Sequence, residues 1–298
     1  LFFSLSLSKQ TNITMYIANP IYDVFFKYLM EDTDLAKVLI GAIIEEDIVE
    51  LTLAPQELTI SSQKHYLSVV RMDFKAVIRN QTGALKTVLI ELQKGKVAFD
   101  IARFRRYLAK NYERKEKTTD RHGNIIESSV PIIAIYFLGF ELETIKVPVL
   151  KATHQYYDVL GRRGIVGKDS FVEQLIHDCF VVQIPHLPTQ TQTKLEKILS
   201  IFNQQYSITN DHRMLDIPAS MAQDVDIQAF ISRLGKPLQD YQMLEQAQAE
   251  DELETTLDDM QRKLTQQQDA IVEKDNVITE KDKMIAELQK QLNTIQNK

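Results

Sequence analysis

Hydrophobic positions change their period several times along the chain. Between residues 19 and 48, Val24, Tyr28, Leu35, Val38, Leu39 and Ala42 fall at helical spacing with Asp34 as a candidate cap, predicting one or two helices. The period then becomes two. Residues 67–78 (LSVVRMDFKAVI) and 86–93 (KTVLIELQ) are rich in β-branched side chains and flank Asn80-Gln81-Thr82-Gly83, which predicts an antiparallel hairpin; a short strand over 57–61 is expected before it. Residues 97–117 return to helical spacing, with Ile101, Phe104, Leu108 and Tyr112 on one stripe. A polar loop over 120–129 and a continuous apolar run over 130–138 follow, the latter fitting a strand buried on both faces. Strands are expected over 145–150 and 180–184, and helices over 191–206 and 221–234.

The last part of the chain carries heptads. Leu257, Leu264, Ile271, Ile278, Ile285 and Leu292 recur every seven residues at position a, with Met260, Leu288 and Ile295 at d; Gln267, Lys274 and Lys281 fill the intervening d positions. A helix this polar is hard to stabilise alone, so a self-associating coiled coil is expected, weakened by its polar d positions. The resulting division is an extension over 1–14, an α/β domain with a helical C-terminal part over 15–245, and a coiled coil over 246–298. Residue 1 is not Met, and LFFSLSLS has neither a preceding basic region nor a small-residue cleavage site, so a secretory signal is not expected; Met15 is the expected start or 1–14 an artefact of the gene model, with a structured extension as the alternative.

With 298 residues, 44% of them apolar, the chain can bury a sizeable core. Its one cysteine, Cys179, cannot form an internal bridge or a thiolate zinc cluster, and a cytoplasmic protein is expected. No apolar run approaches the roughly 18 residues that span a bilayer, so no membrane partner is expected. The net charge of −6 is unevenly spread: residues 246–298 hold 12 acids and 7 bases, whereas residues 94–117 hold 9 bases and 3 acids. A polyanion could be held at that basic segment despite the acidic total. The histidines form no metal motif, and the Gly-rich stretch 161–167 lacks a G-K-[ST] ending, so it reads as a loop.

The hairpin carries the candidate chemistry. Residues two apart share a strand face, so Glu91 and Gln93 point one way and Lys94 the other; Arg71, Asp73 and Lys75 likewise share a face. If the turn centres on Thr82, Asp73 and Glu91 sit directly opposite one another, with Cβ atoms about 5 Å apart. Two carboxylates that close repel, and a divalent cation offsets the cost: Mg²⁺ takes one or two carboxylates and leaves its other sites to water and phosphate oxygens. Gln93 could orient such a water. A solvated pair neutralised by Arg71, Lys75 or Lys94 is the plain alternative.

These residues carry a resemblance. Residues 19–30 (NPIYDVFFKYLM), Asp73 in a hydrophobic strand, Glu91-Leu92-Gln93-Lys94 at the end of the next, and Arg103 with Tyr107 on the following helix resemble the PD-(D/E)XK nuclease family transposases, a group related to recombination-promoting nucleases. The resemblance covers residues 19–140 and extends weakly to about 250. It implies a restriction-endonuclease-like core, with a mixed sheet flanked by helices. It also implies that Asp73 and Glu91 hold Mg²⁺, with Mn²⁺ as a substitute, and that Gln93 acts on water. Met72 stands where the family name has Pro, and Gln93 where the superfamily has Lys; Gln is familiar at that place in this subgroup. Asp23 and Lys27, one helical turn apart, and Lys94 are candidate accessory residues, with an ordinary helix ion pair as the alternative for the first two.

Arg103, Arg106, Lys110 and Arg114 make a basic helix edge that, with Tyr107, is the candidate DNA-binding surface, the alternative being packing of their stems on the sheet. The expected function is metal-dependent DNA endonuclease activity in transposition or recombination, with homo-oligomerisation through the coiled coil pairing two sites so that both strands are cut. Its rivals are a catalytically inactive DNA-binding protein and a coiled-coil interaction protein.

Overall fold

The computed structural model describes residues 15–53, 69–79, 83, 85–95, 101–113, 115–119, 124–167 and 169–296. The strand expected over 57–61 lies outside them, as do residues 1–14. The chain forms two compact units, Leu1–Gln248 and Ala249–Lys298.

The first unit opens with strand β1 (Met15–Ala18), followed by helices α1 (Asp23–Met30) and α2 (Thr33–Ile44). Two helices form because Glu31 and Asp32 end one and start the next: the Asp32 carboxylate accepts from Leu35 N–H at 3.3 Å, so Asp32, two residues before the expected cap, starts α2. The chain turns at Glu45 (φ 58°) into β2 (Asp47–Leu53), then β3 (Val69–Arg79), β4 (Leu85–Gly95) and α3 (Ile101–Tyr112). Next come β5 (Lys115–Thr119), β6 (Ile125–Ser129), β7 (Ile132–Leu138), β8 (Val149–Ala152), β9 (Tyr156–Asp158) and β10 (Arg163–Ile165). After them lie α4 (Ser170–Leu175), β11 (Asp178–Gln183), α5 (Lys194–Leu199), β12 (Ser207–Ile208), β13 (Asp211–Ile217), α6 (Ala219–Ala222), α7 (Gln228–Gly235) and α8 (Tyr241–Gln296).

Six strands make one mixed sheet in the order β2-β3-β4-β7-β11-β8. β3 is antiparallel to β2 and β4, β7 is parallel to β4 and β11, and β8 closes the far edge antiparallel. The protein is thus an α/β structure. Each face of the sheet is covered. On one, Phe26 of α1, Phe137 of β7 and Phe202 pack with ring centroids 5.2–6.1 Å apart, inside a core that also takes Leu39, Ile198 and Phe230 from α2, α5 and α7. Burying each such side chain contributes roughly 2 kcal/mol, so this layer holds most of the fold's stability. On the other face Leu89 and Ile132 meet Leu108 of α3, with Val130 beside them.

Three strand pairings were hidden in the pattern. Residues 125–129, expected in a loop, pair as β6 with β5, which cuts the basic helix short at Tyr112; residues 120–123 lie outside the described ones. Residues 159–162 join β9 to β10 as a hairpin, so that 163–165, expected in a loop over 161–167, pair as a strand. β1 pairs with β13, nearly 200 residues away, and Asn19 locks this crossing: its amide donates to Gln204 Oε1 and His212 O, both at 2.8 Å, while its Oδ1 accepts from Ile21 N–H. Helix α8 begins with Ala247 in the core of the first unit; in the second, Leu264, Ile271, Ile278 and Ile285 stay 50–59% exposed. Among the described residues no helix is long and apolar enough to cross a membrane.

Candidate metal centre

The β3–β4 ladder is regular over its whole length and pairs Asp73 directly with Glu91, as the turn centre predicts. Arg71 opposes Gln93 in the same ladder, and β7 sets Ala134 beside Glu91 and Tyr136 beside Gln93. Strand alternation therefore gathers Asp73, Glu91, Gln93 and Tyr136 on one face. That face is the one α3 covers. Glu91 and Gln93 are fully buried, whereas Asp73 keeps partial exposure at the rim.

The carboxylates are bridged by a residue that the sequence reading missed. Asn111 of α3, 2% exposed, points its Nδ2 at Glu91 Oε2 (3.1 Å) and Asp73 Oδ1 (3.4 Å). Gln93 Nε2 donates to Glu91 Oε1, and among the described residues Gln93 Oε1 accepts no hydrogen bond. A buried carboxylate costs several kcal/mol unless it is paired, and the two amides offset part of that cost for Glu91. Asn111 falls ten residues after the basic helix begins and carries no charge; only its place one turn after Leu108 on the sheet-facing side could have marked it.

The surroundings register the acid's field. Burial first, then Cys179, Glu91 and Tyr112, push the Tyr136 hydroxyl far above its ordinary range; burial and then Glu91 raise Tyr112, whose hydroxyl meets His177 Nδ1 at 2.6 Å. Both phenols stay protonated at neutral pH, and burial keeps His177 below its usual value despite Asp178.

Two candidates lie elsewhere. Lys94 leaves the strand on the face opposite Gln93, fully buried, and binds Asp23 Oδ1 at 2.5 Å and the Ile21 carbonyl. Asp23 is therefore an anchor for Lys94 under the sheet and not part of the Asp73–Glu91 cluster, and Lys27 on the same helix is exposed. The accessory set of Asp23, Lys27 and Lys94 is thereby removed from the centre, because a strand alternates its side chains. On α3, Arg105 and Lys110 are exposed; Arg103, Arg106 and Tyr107 occupy helical positions, and Arg114 lies outside the described residues.

The donor set fits a hard cation. The two carboxylates supply oxygen, Gln93 turns its amide Nε2 to Glu91 Oε1, and the Asn111 amide nitrogen lies between the carboxylates, where a positive charge would be held. Among the described residues no group of three or more His, Cys, Asp or Glu could hold a metal ion. No protein-family model, curated protein or solved structure matches the chain.

Proposed function

We propose that this protein is a metal-dependent DNA endonuclease of the PD-(D/E)XK class, with a restriction-endonuclease-like core, acting in transposition or recombination. The observation that carries the reading is the direct opposition of Asp73 and Glu91 beneath helix α3, which follows them in the chain and bears the exposed Arg105 and Lys110. Mg²⁺, when bound by the two carboxylates, supplies a Lewis acid for the phosphodiester and lowers the pKa of a bound water. Every other part falls to the chain. Gln93 positions water through its amide and takes no proton, since an amide is not a base near neutral pH. Without the ion, Asn111 holds both carboxylates in place. The basic edge of α3 tracks the phosphates, and α8 joins two chains.

The test is nicking and linearisation of supercoiled plasmid in Mg²⁺ or Mn²⁺, beside Asp73→Ala, Glu91→Ala and an EDTA control, with DNA binding recorded on the same samples. Metal-dependent cutting that both variants lose is the expected result. Binding without cutting in any metal overturns it in favour of a DNA-binding protein. One observation favours that second reading: Asn111 and Gln93 donate to Glu91 with no cation involved, and Lys94, buried on the opposite face, points away.

A further inference from the structure

The exposed seam of α8 has one occupant that its chemistry fits better than any other, a second copy running the opposite way. Leu264, Ile271, Ile278 and Ile285 at position a are half exposed or more, as are Met284 and Leu288. A 56-residue helix with that stripe uncovered is not stable alone.

Three features set the direction. First, parallel pairing in register would set Lys274 and Lys281 against their own copies, two like-charge layers in succession at the centre of the seam. Antiparallel pairing centred on Asn276 instead lays Lys281 against Ile271 and Lys274 against Ile278, so each lysine stem packs on an isoleucine while its ammonium reaches water. The same register sets Leu264 against Leu288 and Ile285 against Gln267. Second, the flanking g positions hold Ala270, Val277 and Met284. Antiparallel helices bring g beside g, so Val277 meets its copy and Ala270 meets Met284; parallel helices would put Val277 beside Asp282 and Ala270 beside Asp275. The antiparallel cost is Asp275 beside its own copy, and both Lys274 ammoniums adjoin it. Third, the charge is polarised. Glu250, Asp251, Glu252, Glu254, Asp258 and Asp259 crowd the start, and residues 288–298 contain Lys290 and Lys298 with no acid. Parallel pairing in register would stack the acidic start on its own copy, whereas reversal separates the two starts and sets Glu254 level with Lys298 of the other helix.

We infer that α8 pairs with a second copy of this chain as an antiparallel coiled coil centred on Asn276. The two chains then enter the rod from opposite ends, about 57 Å apart for the overlap of residues 257–295 at 1.5 Å per residue. The inference rests on self-association through α8 and is independent of the nuclease reading.

The test uses the full chain in a Cys179→Ser background. Sedimentation should give a dimer. Leu264→Cys and Leu288→Cys proteins, one carrying a size tag, are oxidised alone and mixed. A disulfide between the two variants at least tenfold above either self-linked product is expected; self-linked products in the separate samples mean parallel pairing and overturn the orientation. A monomer, or an assembly larger than a dimer, overturns the pairing itself without touching the plasmid assay. Because these substitutions weaken the seam, a nitroxide on Asp259→Cys, outside it, gives a second reading. Antiparallel copies place the labels about 50 Å apart, and a parallel pair about 20 Å.

Discussion

Lys94 and Asp23 form an ion pair of 2.5 Å on the face of the sheet opposite Glu91, with the lysine side chain fully buried. Lys94, next to Gln93 in the chain, is thus spent on anchoring α1 to β4 through Asp23 and the Ile21 carbonyl. Replacing it removes the ion-pair partner of the Asp23 carboxylate, 16% exposed, and the lysine donor to a buried carbonyl. Lys94→Met should cost about 3 kcal/mol in urea unfolding, and adding Asp23→Leu should recover a large part of it, because an apolar pair has no charge to desolvate. A loss of under about 0.5 kcal/mol in the single variant would contradict the anchoring role.

Asn111 offers a handle on the two carboxylates. Asn111→Asp replaces the bridging amide by a third acid beside Asp73 and Glu91, so the metal-free variant should lose roughly 2 kcal/mol. Mg²⁺ should restore that loss, giving a larger rise in Tm for the variant than for the parent. A variant destabilised to the same extent with and without Mg²⁺ would show that no cation is drawn to the cluster.

Cys179 ties stability to alkaline pH. Burial, and then Asp178, push its thiol up to about 11. The unfolded chain releases this proton first, so raising the pH favours unfolding. The stability is intact below the ordinary thiol value near 9 and falls as the pH climbs from there towards 11. The urea midpoint measured between pH 8 and 11 should fall less steeply in Cys179→Ala than in the parent. Tyr136, raised in the same direction, accounts for slope that both proteins share.

The hairpin was legible because one turn signal and a period of two settle register and facing together: they set Asp73 against Glu91 and sent Lys94 the other way. The heptads marked a helix at the end of the chain for the same reason, since spacing alone defines a stripe. What stayed hidden depends on distant partners. β1 is four residues whose pairing lies on β13, and β5 with β6 is polar enough to read as helix end and loop until the two are laid side by side. Asn111 is the instructive miss. Its role comes from the angle at which α3 returns across β4, which no local pattern records, and an uncharged amide carries no electrostatic signature in a basic helix.

Binding of Mn²⁺ to the metal-free protein, followed by calorimetry and by the loss of the free-ion electron paramagnetic resonance signal, tests the central claim most directly. The account predicts saturable binding that Asp73→Asn and Glu91→Gln each weaken at least tenfold while both variants keep the parent's circular dichroism. Lys94→Met, if folded, should bind as the parent does. Binding unchanged in both carboxylate variants, or none in the parent, would contradict the assignment of Asp73 and Glu91 as a metal pair.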